Sequence, residues 1–565
     1  MTVYERFKNV PIFGELDAYD SIEIKTLPSN FIPIDAFEQL SKHSTPIICG
    51  RKGSGKSALV YMLVPKDYSE PFFLFRDCHF TSIMVEDFNN TNKGNVSTTL
   101  NVQTFFLGFW KYLIYLSGMF SMVIYYNGAE NNEVKAIQNY LSSGEVNIDI
   151  PKLIELNSVK IKEFNSVVNF MNDTISYFGI NLVNKAIKKS LKSDAPATNL
   201  ELSIQERLTG QDFLTAKKAF LSLLKLRKCT ILIDNIEKCF STNIYYLSSL
   251  KGMVEAVKNL QDQEFENLII KCVIPSEIYD DLTYDNPAKY YQKTVFLRWT
   301  YKDLLLLLAK RFHTFFSNNN IKCAIVKGDI DRNNVREKFW YKLIPHEIKN
   351  AKDFYEEGMA YVIRHTQKKP RQLINLMNYA IMESFKHISE KQLEKKEPPV
   401  MGEEEVKNSI HNDDCMIRSL NDALSIFSKE DDISLSSTVR AMFEDEKTIL
   451  SASDLHDFSK RIHDRLSKKY FKNIDEDQFI ETLFRSGLIG VVKDEHRFKD
   501  KNGKPCLYFI TDFEYLMRGR LGFAKHLKYG LHEILADSLK LKKISDNGIV
   551  YPFPERDEIF YEYKR

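Results

Sequence analysis

Pro46-Ile47-Ile48-Cys49-Gly50-Arg51-Lys52-Gly53-Ser54-Gly55-Lys56-Ser57-Ala58-Leu59 reads, in order, as a short apolar strand, a glycine-rich loop and the opening turn of a helix. Gly50, Gly55, Lys56 and Ser57 match the spacing G-x-x-x-x-G-K-[ST] of a phosphate-binding P-loop. The spacing has a physical reason. Glycines let consecutive backbone N–H groups turn inward and cradle a phosphate at the positive end of the following helix. Lys56 is placed to reach the β- and γ-phosphates, and the Ser57 hydroxyl to ligate Mg²⁺. The stretch therefore predicts a nucleoside triphosphate site lined by Gly50, Arg51, Lys52, Gly53, Ser54, Gly55, Lys56, Ser57 and Ala58.

Working outward, Pro71–Asp77 reads as a second strand, apolar almost throughout, as a sheet buried on both faces requires. The second informative stretch is Cys229-Thr230-Ile231-Leu232-Ile233-Asp234-Asn235-Ile236-Glu237. A basic amphipathic helix at 213–228 leads into an apolar strand ending in Asp234. Downstream of a P-loop, such a carboxylate holds Mg²⁺ through water. Glu237 is the nearest carboxylate able to polarise an attacking water; the alternative role is to cap a helix start. Asn235 stands where many hydrolases carry the catalytic acid, so slow turnover is expected. Asn267–Pro275 and Thr294–Leu297 read as the next two strands, and strands alternating with helices indicate a parallel α/β sheet. No N-K-x-D guanine-reading motif follows Asp234, which favours ATP over GTP.

From Trp299 the chain turns helical, with a leucine run at 304–308 in a helix ending at Lys310-Arg311, and a later helix opened by Lys369-Pro370-Arg371. Together with the P-loop and the Asp234 strand, these features resemble the additional-strand ATPases. Those are the AAA+, origin-recognition and STAND groups, and especially bacterial P-loop ATPases with Gly-Arg-Lys-Gly-Ser-Gly-Lys-Ser loops. The resemblance covers about residues 10–390 well and the C-terminal third loosely. It implies that Arg371 is the sensor-2 arginine, which closes a helical lid on the γ-phosphate; the alternative is a solvated arginine on the first turn of a helix. It also implies an ATPase of a bacterial anti-phage defence or stress module that works with an effector. In two respects the chain departs from the pattern: Asp234 is not followed directly by Glu, and no arginine finger is identifiable, so an oligomeric ring is not implied.

The resulting organisation is an N-terminal, turn-rich wrap (1–45) and a P-loop core (46–300) with a helical insertion at about 101–211. A helical lid (301–392), a charged linker (393–404) and a helical connector (405–447) follow. Last come a winged-helix-like domain (448–512) and a C-terminal helix and tail (513–565). The wing is read from two apolar strands, 487–492 and 507–510, paired around Asn502-Gly503. A polar break is expected at 193–198. Leu141-Ser142-Ser143-Gly144-Glu145 echoes the signature loop of transporter-type ATPases but lies too far ahead of Asp234, and reads as a loop.

Composition narrows the function classes. The chain has 565 residues, and its 78 basic and 76 acidic side chains leave a formal charge of +2, a mixed solvated surface and not one that coats nucleic acid. The presumed recognition helix starts Asp475-Glu476-Asp477, which repels phosphates. Lys493, Arg497, Lys499, Lys501 and Lys504 make the wing at 493–504 basic, so a protein effector, a second copy and DNA all remain candidate partners. Eight cysteines (49, 78, 229, 239, 272, 323, 415 and 506) show no C-x-x-C and no metal-ligand spacing, which fits a reducing cytoplasm. Residues 105–126 are long and apolar enough to span a bilayer, but a core helix beside the sheet is expected, with no membrane partner. Two other functions stay open beside the switch. One is a DNA-loading ATPase of the origin-recognition type, and the other a nucleotide-binding scaffold without turnover.

Overall fold

The computed structural model describes residues 3–40, 45–65, 69–76, 99–126, 131–143, 146–150, 164–190, 196–234, 244–263, 266–279, 282, 287–321, 324–349, 355–395, 399–424, 436–437, 439–440, 443, 449–457, 460, 476–493, 506–508 and 527–536. It divides into two compact units. One comprises Asp35–Arg51 and Lys56–Leu297; the other comprises Met1–Ile34, Lys52–Gly55 and Arg298–Arg565.

The first unit is built on a five-stranded, all-parallel sheet: β1 (Ile47–Gly50), β2 (Phe72–Phe75), β3 (Cys229–Ile233), β4 (Leu268–Pro275) and β5 (Thr294–Phe296), in the order β2-β3-β4-β1-β5. Every residue of β1, β2 and β3 is buried. This is why these strands read as unbroken apolar runs instead of alternating ones. Each expected strand is present, trimmed by one to three residues. The thiols of Cys49, Cys229 and Cys272 are buried in three neighbouring strands, and desolvation pushes the Cys272 thiol up to about 12. They pack as small hydrophobes.

Helix Thr99–Tyr126 covers the sheet and packs along helix Ile244–Asp262. By length and composition it could cross a membrane, yet 83% of its most apolar window is buried inside the protein. Its neighbours explain the hydropathy. Trp110 Nε1–H donates to Ser249 Oγ at 3.3 Å, and the Gly252 backbone sits so close that an added Cβ would lie 2.8 Å from the Leu107 nitrogen and the Phe106 carbonyl carbon. Both are main-chain atoms of a packed helix that cannot rotate away. Gly252→Ala is therefore expected to cost about 1–3 kcal/mol of stability, read as a lower urea midpoint at an unchanged slope. Of the polar break expected at 193–198, residues 193–195 lie outside the described residues. Residues 196–198 form the first turn of helix Pro196–Thr209, with Pro196 in the first helical position, where its missing N–H costs nothing.

The second unit contains the lid, and its core also takes in residues from both chain directions. Phe7, Ile12 and Phe13 from the N-terminal segment are buried with Leu304, Leu308, Phe312, Trp340 and Leu373. The Phe13 N–H donates to Asn378 Oδ1 at 2.8 Å, and Asn378 Nδ2–H to the Gly14 carbonyl at 3.2 Å. The N-terminal wrap is thus partly helical, including Ser21–Asn30, and part of the lid core. Helix Tyr301–Asn318 starts at a reciprocal Thr300–Asp303 capping box and runs past the expected end at Lys310-Arg311. A basic pair is no stop signal. Arg311 lies mid-helix, 7% exposed, with Nη1 donating to the Phe13 carbonyl at 3.0 Å and both Nη groups paired to buried Glu23. A short antiparallel ribbon, β6 (Glu347–Lys349) with β7 (Tyr355–Glu357), edges the lid. The charged linker is no clean boundary either, since Met401, Val406, Ile410 and Cys415 join the lid core.

The C-terminal core is a four-stranded antiparallel sheet and not a two-stranded wing: β8 (Ile449–Ser451), β9 (Ile489–Lys493), β10 (Cys506–Tyr508) and β11 (Lys528–Leu531), ordered β10-β9-β11-β8. β11 falls where a C-terminal helix and tail were expected. Met416, Leu420, Ala423, Leu424, Val439 and Phe443 from the expected connector are buried in the same core. The expected β9–β10 pairing is present, while 494–505, with most of the basic wing residues, lie outside the described residues. Helix Glu476–Arg485 ends in a Schellman motif. The Leu488 N–H donates to the Leu483 carbonyl at 3.0 Å and that of Gly487 to Phe484 at 2.9 Å, with Gly487 at φ +76° as the left-handed residue.

The turn at Gln367 and the helix that follows it, Pro370–Phe385, tie this core to the lid. Gln367 Nε2–H donates to the Ser486 carbonyl at 2.8 Å, and Gln372 Nε2–H to the Ser419 carbonyl at 3.2 Å. His532 is buried nearby, its Nδ1 accepting from the Ile534 N–H at 3.1 Å. Desolvation, followed by the charges of His365, Arg364, Lys369 and Lys368, pushes its pKa down to about 3. The sign follows directly. Below pH 6.5 the unfolded histidine takes up a proton that the folded one refuses, so stability falls with pH from about 6.5 towards 3. Wild type is expected to lose about 2 kcal/mol to this residue by pH 5, and the slope to flatten in His532→Gln, as read by denaturation at pH 7 and pH 5.

Candidate phosphate-binding site

The strand preceding the loop is fixed on both sides. Ile47 to Gly50 lie opposite Cys272 to Pro275 of β4, and Ile47 to Cys49 opposite Thr294 to Phe296 of β5. Gly50 thus ends β1 level with the end of β4. The chain leaves the sheet at its carboxyl edge, where open parallel sheets place ligands. Gly53 (φ +79°) and Gly55 (φ +91°) adopt left-handed backbone conformations that residues with a Cβ rarely take. Helix Lys56–Leu63 begins at once, so Lys56, Ser57 and Ala58 form its first turn. Lys56 is 6% exposed and its Nζ donates back to the Arg51 carbonyl at 3.0 Å, across the loop.

Arg51 is buried, with Nη1 3.8 Å from Glu277 Oε1. Glu277 lies two residues beyond the end of β4 and is 3% exposed, so it neutralises part of the positive charge that Arg51 and Lys56 bring to the loop. Sequence reasoning missed this carboxylate. Asp234 follows β3 immediately, is 1% exposed, and its N–H donates to the Phe75 carbonyl at 2.9 Å. One strand, β4, separates β3 from β1, which puts Asp234 about two strand spacings, roughly 10 Å, across the sheet from the P-loop strand. Asn235 and Glu237 lie outside the described residues.

In the second unit, the middle of the loop meets the lid. Trp299 Nε1–H donates to the Ser54 carbonyl at 2.7 Å, and its ring lies 3.6 Å from where a Cβ on Gly55 would stand. The Arg371 N–H donates to the Gly53 carbonyl at 3.2 Å, from the first turn of helix Pro370–Phe385. Its side chain is 36% exposed; Nη1 pairs with Asp422 Oδ1 at 3.1 Å and Nε donates to the Leu16 carbonyl at 3.3 Å. Arg371 was singled out in the sequence, whereas Trp299 was read only as the point where the chain turns helical. Asp422 was not singled out, because a lone acidic residue in a helical stretch carries no signal of what it will face.

The donors fit a phosphate and a small hard cation. Two left-handed glycines open the loop, Lys56 points across it, and the Ser54 hydroxyl is buried without a hydrogen-bond partner among the described residues. Among the described residues no cluster of three His, Cys, Asp or Glu could hold a metal on its own. A hydroxyl and one carboxylate instead suit Mg²⁺, which keeps waters and phosphate oxygens as its remaining ligands. No protein-family model, curated protein or solved structure matches this chain.

Proposed function

We propose that the chain is an ATP-binding and slowly ATP-hydrolysing molecular switch that couples its nucleotide state to a protein effector. The observation that carries this reading is the loop itself. A buried strand ends at Gly50, left-handed Gly53 and Gly55 turn the backbone, and the helix starting at Lys56 offers its positive end. Asp234 supports it, as does the sheet order, in which β4 is the additional strand between the P-loop strand and the Asp234 strand.

In this reading Lys56 and the loop N–H groups hold the β- and γ-phosphates. The Ser57 hydroxyl and, through water, Asp234 would hold Mg²⁺, which would supply positive charge against those phosphates. Glu237 orients the attacking water. Arg371 carries the sensor role, and its backbone bond to Gly53 makes it responsive to the loop conformation. The effector and a place in a defence or stress module rest on the resemblance alone, and the cytoplasmic setting rests on the cysteine pattern. Calorimetric titration with ATP and GTP in Mg²⁺, followed by a phosphate-release assay, tests the proposal. Saturable binding that prefers ATP, with slow release, is the expected result. An absence of binding to either nucleotide rejects it, and binding with no release over hours leaves only the scaffold.

A further inference from the structure

Resting on the P-loop reading, we infer that Asp422 is an internal counter-anion that competes with the nucleotide's terminal phosphate for Arg371 and so links nucleotide state to the C-terminal core. Asp422 lies on helix Asp413–Leu424, and its side chain is 5% exposed. Its two oxygens face different cations. Oδ1 is 3.1 Å from Arg371 Nη1, and Oδ2 is 3.5 Å from Lys369 Nζ, a side chain 2% exposed. The same carboxylate lies against the phosphate loop, since a Cβ on Gly53 would stand 2.5 Å from Oδ2. An anion therefore occupies the edge of a loop whose shape and charge suit an anion, and it holds the arginine that such a ligand would recruit.

A buried ion pair of this kind admits another interpretation, as a structural tie between two helices. Two features favour exchange. Arg371 stays about one-third exposed while Asp422 and Lys369 are buried, so an incoming phosphate oxygen has access to the guanidinium and Asp422 has little access to water. A guanidinium also carries five donors in a rigid fork, and a doubly charged phosphate oxygen group accepts from it more strongly than a carboxylate does. Exchange would have a consequence at a distance, because Leu420, Ala423 and Leu424 on the same helix are buried in the C-terminal core. Releasing Asp422 from Arg371 alters the seat of that helix, and by reciprocity whatever moves the C-terminal core alters ATP affinity.

The test uses the full chain and ATP with Mg²⁺. Asp422→Asn keeps the shape and removes the charge. It is expected to tighten ATP binding about tenfold, and the gain is expected to vanish in the Arg371→Ala background, as a shared partner requires. Because Asp422→Asn leaves Lys369 buried without its carboxylate, the double variant Asp422→Asn with Lys369→Met is measured in parallel and is expected to keep the gain. If wild type binds ATP, Lys56→Ala does not, and both Asp422 variants bind within twofold of wild type, the competition is wrong and the P-loop reading survives. A gain of equal size in the presence and absence of Arg371 would also overturn it. Failure of wild type itself to bind ATP would remove both.

Discussion

Lys56→Ala is expected to weaken ATP binding by on the order of a hundredfold or more, while the five-stranded sheet stays folded. The size follows from what the side chain does. Reaching both the β- and γ-phosphates, it makes two charge-assisted hydrogen bonds, each worth about 1.5–3 kcal/mol, and a shielded site supplies no water to replace them. The limited effect on the fold follows from what Lys56 does not do. It sits at the start of the helix after the loop and in no strand of the sheet, and its Nζ–H to Arg51 carbonyl bond is worth about 1 kcal/mol. Calorimetry measures the affinity and a thermal melt the fold. Unchanged affinity would sink the P-loop assignment, and a collapsed melt would make Lys56 a structural residue. Arg51, by contrast, is paired with Glu277 beside the sheet, so its replacement is expected to lower both affinity and melting temperature.

How much of this site was legible in the sequence depended on the range of the interaction. Gly53, Gly55 and Lys56 announced themselves because backbone conformation and helix start are local properties, written in consecutive residues. β1 to β4 were legible for a related reason, since strands buried on both faces are apolar at nearly every position, with Thr230 in β3 and Lys271 in β4 as exceptions. The order of those strands was not, and neither was the insertion of Phe13 into the lid core, which pairs positions far apart in the chain. Glu23 with Arg311 and Asp422 with Arg371 belong to the same class. Each is a charged pair whose members look like ordinary surface residues until burial brings them together. In the C-terminal core, β8 and β11 escaped detection because strands of three and four residues are too short for their alternation to register, whereas the β9–β10 pair was visible as two apolar runs around a turn.

Turnover separates Asp234 from Glu237, and the two carboxylates are expected to fail differently when each is made an amide. Asp234 is buried directly after β3, where a charged oxygen is costly unless a cation or hydrogen bonds compensate it. Asp234→Asn should therefore reduce the Mg²⁺-dependent part of ATP affinity and leave the Mg²⁺-independent part nearly intact, a difference calorimetry with and without the metal reads directly. Glu237 has another task. If it accepts the proton of the attacking water, Glu237→Gln keeps the hydrogen-bonding shape but loses the base, so ATP and Mg²⁺ should bind as in wild type while hydrolysis falls on the order of a hundredfold or more. Single-turnover phosphate release isolates that step from binding. A rate within a few-fold of wild type would return Glu237 to capping a helix and move the search for the base to Asp77 or another carboxylate. Glu277 is the best-placed such residue among those described, because it is buried two residues beyond the end of β4 and already faces the loop through Arg51. Glu277→Gln would then show the rate loss that Glu237→Gln did not, accompanied by a lower melting temperature from the weakened Arg51 pair. That second signature distinguishes the two carboxylates, since Glu237→Gln is expected to slow the reaction without it.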